Sequence, residues 1–311
     1  MGIIHSLLNE HTFRIVALGC MLLGILCGVI GCFAVLDKKS LLGDTISHAS
    51  LPGICLVFMI MNVKKTEYLL VGALITGILC VILIQLIQNH TKVKLDSALA
   101  FVLSVFFGLG LVFMSYLNRL PGSNKSGLTK FIFGQASTFT KRDIDIILFT
   151  GTLLLLVVIL FWKEFKLVSF DADFLQTLGY PSKILNLVIS ILIVVTVIVG
   201  IQAVGIILIS AMLISPAIAA RQWTDKLSVM VVLSGIFGGV AGFIGTVISI
   251  TDSNLPTGPI VVIIMSIILI ISLLFSYKRG ILLKVIQRKR KSKILKKSMK
   301  EYKRSKKMEV K

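Results

Sequence analysis

Ile191-Leu192-Ile193-Val194-Val195-Thr196-Val197-Ile198-Val199-Gly200 forms the middle of an apolar stretch that runs from 184 to 202 without one charged residue. A helix rises about 1.5 Å per residue, so about 20 such residues cross the roughly 30 Å hydrocarbon core of a bilayer. A strand of a membrane barrel would be about half as long and would alternate polar with apolar positions. No such alternation is present. Hydrocarbon offers no hydrogen-bond partner, so the backbone of such a segment must satisfy itself. The stretch reads as a membrane-spanning helix. Working outward from it, the same reading applies at 14–36, 41–61, 67–89, 95–117, 143–162, 203–220, 227–250 and 259–277.

Hydrophobic residues make up 56% of the 311-residue chain and the mean hydropathy is +0.97, well above an ordinary soluble domain. The fold class is all-α, a polytopic membrane protein with eight to nine transmembrane helices. The count turns on two segments: 41–61 carries Asp44, His48 and Pro52, and 203–220 follows 184–202 with almost no separation. The formal charge of +19 would suggest a nucleic-acid partner if it were spread over a surface. Residues 278–311 alone, however, hold 16 Lys and Arg against Glu301 and Glu309, a net +14 that leaves +5 for the rest. The chain divides into a hydrophobic body, 1–279, and a polybasic tail, 280–311. A polybasic segment directly after a membrane helix reads as cytoplasmic, held near anionic headgroups. With Tyr302 as its one aromatic residue it has little on which bases could stack, so no nucleic-acid partner is expected.

Fixing the tail inside and counting nine spans puts 37–42, 90–94, 163–183 and 221–226 inside, with 62–66, 118–142, 251–258 and the N-terminus outside. Basic residues outside the tail are nearly balanced between the two sides, so the tail alone decides the orientation. Cys20, Cys27, Cys32, Cys55 and Cys80 lie in or beside apolar segments with no C-x-x-C pair, which argues for neither disulfides nor a thiolate zinc site. The first dozen residues lack the positive charge of a signal peptide, so residue 1 is expected to stay in the mature protein.

Inside the second run, Gly43-Asp44-Thr45-Ile46-Ser47-His48-Ala49-Ser50-Leu51-Pro52-Gly53 sets an acid and an imidazole four residues apart. On a helix that spacing stacks both side chains on one face, where a carboxylate oxygen and an imidazole nitrogen can converge on one cation. Ionisable groups within membrane segments are costly, face a bundle interior or an aqueous path, and mark transport. Two readings stand: a site for a transported ion, or an Asp–His hydrogen bond that holds two helices together. As a metal site, the mixed donor set suits manganese, zinc and ferrous iron, and the absence of a cysteine beside the pair puts manganese ahead of zinc.

Phe170-Asp171-Ala172-Asp173-Phe174-Leu175-Gln176-Thr177-Leu178-Gly179-Tyr180-Pro181 predicts a short amphipathic helix in the loop between spans. Asp171 is its N-cap, Phe174, Leu175 and Leu178 share a face, and Gly179 followed by Pro181 stops it. It suits either docking of a soluble partner or a resting place at the headgroups. In the outer loop, the turn Leu120-Pro121-Gly122-Ser123-Asn124 and the apolar Phe131-Ile132-Phe133-Gly134 are expected to rest on the outer surface or to contact a partner. The overlapping pairs Gly235/Gly239 and Gly238/Gly242 invite close helix approach. Pro216 is expected to kink or break its helix. No G-x-x-x-x-G-K-[ST] occurs, so this chain has no P-loop for ATP.

The acidic-histidine motif from Gly43 to Gly53, the Gly-ended inner helix, and Val204-Gly205 through Met212-Leu213-Ile214-Ser215-Pro216-Ala217 follow one another in a familiar order. On these elements the chain resembles the metal-ion permease family of ABC importers, the transmembrane subunits that bring manganese, zinc or iron into bacteria, from about residue 14 to 277. Where many of those proteins have alanine near the centre of the inner helix, this chain has Phe174-Leu175-Gln176. The resemblance implies an ABC importer permease fold in residues 1–279, with a coupling helix at about 170–181. It implies Asp44 and His48 as metal ligands, and Asp171, Phe174, Leu175, Leu178 and Gly179 as the contact with an ATP-binding ABC subunit. Further implied partners are a second permease subunit, identical or homologous, and an extracellular metal-binding receptor lipoprotein. The chain is then no enzyme by itself, holds no permanent cofactor, and resides in the cell membrane with Mn2+ or Zn2+ as cargo. From other classes, the residues also fit an ATP-independent cation transporter or channel with Asp44 as a relay, or a membrane-anchored scaffold that acts through its tail.

Overall fold

The computed structural model describes residues 11–61, 66–119, 139–206, 208–251, 256–283 and 291. Their principal elements are helices: α1 (His11–Leu36), α2 (Ser40–Met61), α3 (Thr66–His90), α4 (Leu95–Arg119), α5 (Lys141–Leu160), α6 (Trp162–Phe170), α7 (Ala172–Thr177), α8 (Ser182–Val204), α9 (Ile209–Trp223), α10 (Leu227–Thr251) and α11 (Thr257–Phe275). Among the described residues, eight are long and apolar enough to cross a membrane: α1 to α5, α8, α10 and α11. The run 203–220 is not a ninth span of equal length. The chain reverses at Gly205, whose φ of 88° suits a residue without a side chain. It then returns through α9, which has 15 residues and so rises only about 22 Å. The near-absence of a linker in the sequence is this tight reversal. Pro216 sits inside α9 and Pro52 inside α2, and neither ends its helix.

Hydrogen bonds and shared recesses gather the connections at one end of the bundle. Asp37, Lys39, Gln88, Asn89, Ser169 and Lys183 line a polar cavity of about 370 Å³. Trp162, Lys166 and Phe170 share a second recess with Asp225 and Lys226. Beyond α11, Lys278 Nζ and Arg279 Nη2 donate to the two oxygens of Asp225 at 2.9 and 2.6 Å. The Lys278 hydrogen bond, aided by both positive charges, holds the Asp225 carboxyl below the usual carboxylate range. The α1–α2 turn, the end of α3, α6 and the α9–α10 turn thus sit together where α11 hands over to the tail. These are the loops that span counting assigned to one side. The turn at 120–124, the apolar stretch Phe131–Gly134 and all of the tail except 280–283 and 291 lie outside the described residues.

Lipid offers helices no hydrophobic reason to associate, so contact depends on close packing and interhelical hydrogen bonds. The main seam joins α1 and α10. A methyl group on Gly24 would fall on the carbonyl of Gly238, one on Gly238 on the carbonyl of Gly24, and one on Gly242 on that of Cys20. Ser234 Oγ donates to the Gly28 carbonyl at 2.8 Å across the same seam. Of the two small-residue pairs, Gly238/Gly242 makes the backbone contact. A methyl on Gly235 would meet the side chains of Ile25 and Val29 at 3.6 Å and the Ile25 carbonyl at 3.9 Å, ordinary contact distances. A second seam sets α2 against α3, where a methyl on Gly53 would land on the Gly72 carbonyl.

The two small-residue pairs of the α1–α10 seam predict a contrast. Gly238→Val is expected to lower the stability of the detergent-solubilised protein by at least about 1–3 kcal/mol, as over-packing does. Gly235→Ala should stay within about 0.5 kcal/mol of the parent. Thermal unfolding of the two variants side by side checks both.

Candidate functional site

Residues of α2 divide cleanly by side. Ile46, Ala49, Ile54 and Cys55 are sealed in the core, whereas the Asp44 and His48 side chains keep 41% and 21% of their exposure. The hydroxyls around them are spent within the helix: Thr45 Oγ1 donates to the Leu41 carbonyl, Ser47 Oγ to that of Asp44 and Ser50 Oγ to that of Ser47. Asp44 and His48 are left as the polar side chains of this stretch that are not used up in this way. They lie about 6 and 12 Å along the axis from the start of α2, in the half of the bundle nearer α6 and α7.

His48 Nε2 lies 3.6 Å from Asp44 Oδ1. That is too long for a hydrogen bond, and both groups belong to one helix, so they do not bond two helices together. Two donor atoms 3.6 Å apart can both reach one ion at about 2.1 Å, with an angle of roughly 118° at the ion. The ring of His48 meets the edge of Phe107 on α4 with centroids 4.8 Å apart, which limits its rotation. His48 Nδ1 is buried without a hydrogen-bond partner among the described residues. Pro52 has no N–H to offer the His48 carbonyl four residues earlier, so that oxygen lacks its helical donor. Among the described residues no group of three or more His, Cys, Asp or Glu gathers to hold a metal. The pair supplies two donors and leaves the rest of a coordination shell open.

At the same end of the bundle, α7 is shorter than the 171–179 expectation, covering Ala172–Thr177. Its start is as read: the Asp171 carboxylate accepts from the Phe174 N–H at 2.9 Å. Its stop is Gly179, with φ 82°, after which the Tyr180 N–H reaches back to the Leu175 carbonyl in the manner of a Schellman closure. The expected shared face of Phe174, Leu175 and Leu178 is split. Leu175 is fully buried and anchors α7 in the body, while Phe174 and Leu178 stand about half exposed with Phe170 and Tyr180. Residues one apart on a helix point about 100° from each other, so Phe174 and Leu175 cannot both face inward. The result is an apolar knob on a rigid base. Gln176 Nε2 donates to Ser182 Oγ at 2.8 Å, tying α7 to the first turn of α8.

One polar cluster was not read from the sequence. Lys39, which the sequence presents only as a loop charge, buries its side chain and donates to Asn186 Oδ1 at 2.8 Å, to the Asn186 carbonyl at 3.4 Å and to Ser190 Oγ at 3.2 Å. Hydrogen bonds to a charged group contribute about 1.5–3 kcal/mol each, here set against the cost of removing the ammonium from water. Asp37 Oδ2 lies 3.8 Å from Lys39 Nζ. Burial pushes the Asp37 carboxyl up, with Lys39 and Ser169 pulling it back, and burial lowers Lys39 in turn. The signal available was an N-x-x-x-S pair on one face of α8 near a loop lysine, and such a pair gains meaning only once the two loops are known to meet.

The sequence matches the profile of the ABC 3 transport family over residues 9–276. It is 41% identical over 290 residues to the zinc transport system membrane protein TroC of Treponema pallidum, covering 93% of this chain and 97% of that protein. It is 43% identical over 269 residues to the manganese transport system membrane protein MntC of Bacillus subtilis, covering 86% of this chain and 62% of that protein. Among solved structures it superposes on a chain of PsaBC from Streptococcus pneumoniae in complex with Fab, with a TM-score of 0.77 and 29% identity, over 89% of this chain and 96% of that one. The permease resemblance read from the three motifs is borne out over nearly the whole hydrophobic body, and the chain belongs to the ABC 3 transport family.

Proposed function

We propose that this chain is the membrane-spanning permease subunit of an ATP-driven importer of divalent transition-metal ions, in which Asp44 and His48 are ligands on the translocation path. The observation that carries this is the outward-facing pair on α2, with its donor atoms 3.6 Å apart. Two donors per chain hold an ion weakly, and a path must release what it binds. A second permease subunit, identical or homologous, brings a matching pair and completes the shell. A metal-binding receptor lipoprotein delivers the ion from outside.

The exposed Phe170, Phe174, Leu178 and Tyr180 around α7 form the seat for the ATP-binding subunit. Because α7 shares its end of the bundle with the start of the tail, both face the cytoplasm of a cell-membrane protein. Manganese is the first choice of cargo: all five cysteines are buried, so no thiolate accompanies the oxygen and nitrogen donors, and harder ions favour such a set. Zinc is the second reading, supported by the near-complete overlap with a protein named for zinc transport.

Metal accumulation in cells carrying the chain with its ATP-binding and receptor partners tests the site, with manganese and zinc supplied separately. Asp44→Ala and His48→Ala should each cut uptake of the true cargo by about 10- to 100-fold, the usual effect of weakening a metal shell, at unchanged membrane abundance. Uptake at parental levels in both variants would remove the pair from the path.

For the seat, Leu178→Asp places a charge on the exposed knob while leaving the buried Leu175 anchor intact. The variant should insert normally yet fail to retain the ATP-binding subunit on affinity purification, with uptake lost. Normal transport by this variant would exclude α7 as the point of coupling.

A further inference from the structure

The route from α7 to the metal pair contains three joints. The first is the Gln176–Ser182 hydrogen bond at 2.8 Å, backed by the buried Leu175, which makes α7 and the foot of α8 one piece. The second is the set of bonds from Lys39 Nζ to Asn186 and Ser190, one and two turns further along α8. The third is the backbone: the Lys39 carbonyl accepts from the Leu42 N–H at 2.9 Å, and the next residue, Ser40, opens the helix that carries Asp44 and His48. Higher in the bundle the apolar side chains of Ile46 on α2 and of Val194 and Ile198 on α8 converge over Gly77 of α3. Apolar contacts are non-directional and allow packed helices to slide. Bonds from a buried ammonium with fixed acceptors resist sliding, because low local dielectric strengthens them.

The chain geometry around Lys39 fits that task. Lys38 adopts φ 57°, a conformation that side chains disfavour, and the bend aims Lys39 across the gap at α8. Lysine offers three donors and no acceptor, matching the acceptors on Asn186 and Ser190 with Asp37 as counter-charge.

We propose that Lys39 is a positioning residue that makes α2 and α8 move as one body, so that displacement of α7 by ATP hydrolysis reaches the Asp44–His48 pair. This rests on the reading of that pair as the metal site and of α7 as the ATPase seat.

The test uses the full permease with its ATP-binding and receptor partners reconstituted in liposomes, recording ATP hydrolysis and Mn2+ and Zn2+ entry in the same samples. Lys39→Met keeps the length of the side chain and removes its donors. It should retain receptor-stimulated ATP hydrolysis while the number of ions moved per ATP falls about 5- to 150-fold, the range typical of coupling between sites. Asn186→Leu removes the nearest acceptor, Oδ1 at 2.8 Å, while the backbone carbonyl and Ser190 remain, and should lower the ratio in the same direction. The double variant should be no worse than Lys39→Met alone, since both break one link, whereas independent damage would add. Lys39→Arg, which keeps charge and donors, should recover part of the ratio. An unchanged ratio in Lys39→Met or Asn186→Leu, or additive losses, would overturn the inference. If the parent moves no metal, or Asp44→Ala transports normally, it is the metal-site reading that has failed. If the parent transports, Asp44→Ala does not, and Lys39→Met keeps its ratio, only the link has failed.

Discussion

A peptide group without a hydrogen-bond partner in hydrocarbon costs several kcal/mol, and every other feature of this protein is arranged under that constraint. It turns each apolar run into a helix. It also removes the hydrophobic effect as a reason for those helices to meet, which passes the burden of assembly to shape. The α1–α10 seam answers this by bringing backbone to backbone at Gly24, Gly238 and Gly242. Because α1 also packs on α5, α8 and α9, the seam fixes a central post, and the outer helices α4 and α5 keep most of their apolar surface for lipid or another subunit.

Three kinds of polar group stand out in such a body. Hydroxyls such as Thr45, Ser47 and Ser50 return their hydrogen bonds to their own helix and serve packing. Groups at the tail end of the bundle, among them Lys39 with Asn186 and Asp225 with Lys278 and Arg279, are paired between elements and hold the connections in place. Asp44 and His48 belong to neither kind. They face each other without a hydrogen bond and carry unused valence, the feature on which the proposed ion path rests.

The fold was legible because its signals are long: about 20 consecutive apolar residues admit one secondary structure. Where signals are short, neighbours decide. The run 203–220 reads as a span by hydropathy, and only the reversal at Gly205 reveals a 15-residue returning helix. Asp171 and Gly179 were legible as cap and stop because capping is local, whereas the inward turn of Leu175 depends on what lies beneath it. Asp44 and His48 announced themselves by rarity and spacing. Lys39 did not, because a loop lysine is ordinary until the foot of another helix, 147 residues away, is found beside it.

Cys20, Cys27, Cys32, Cys55 and Cys80 are all buried within the bundle. Thiolates rank among the strongest ligands for zinc and copper(I), and a cation that met one in transit would leave it only slowly. Enclosing every thiol behind helix contacts keeps such kinetic traps off any aqueous route through the protein. It also means that a cysteine introduced at an exposed position would be the one site at which a membrane-impermeant thiol reagent reacts, so solvent accessibility along the route can be mapped residue by residue in the natural sequence background.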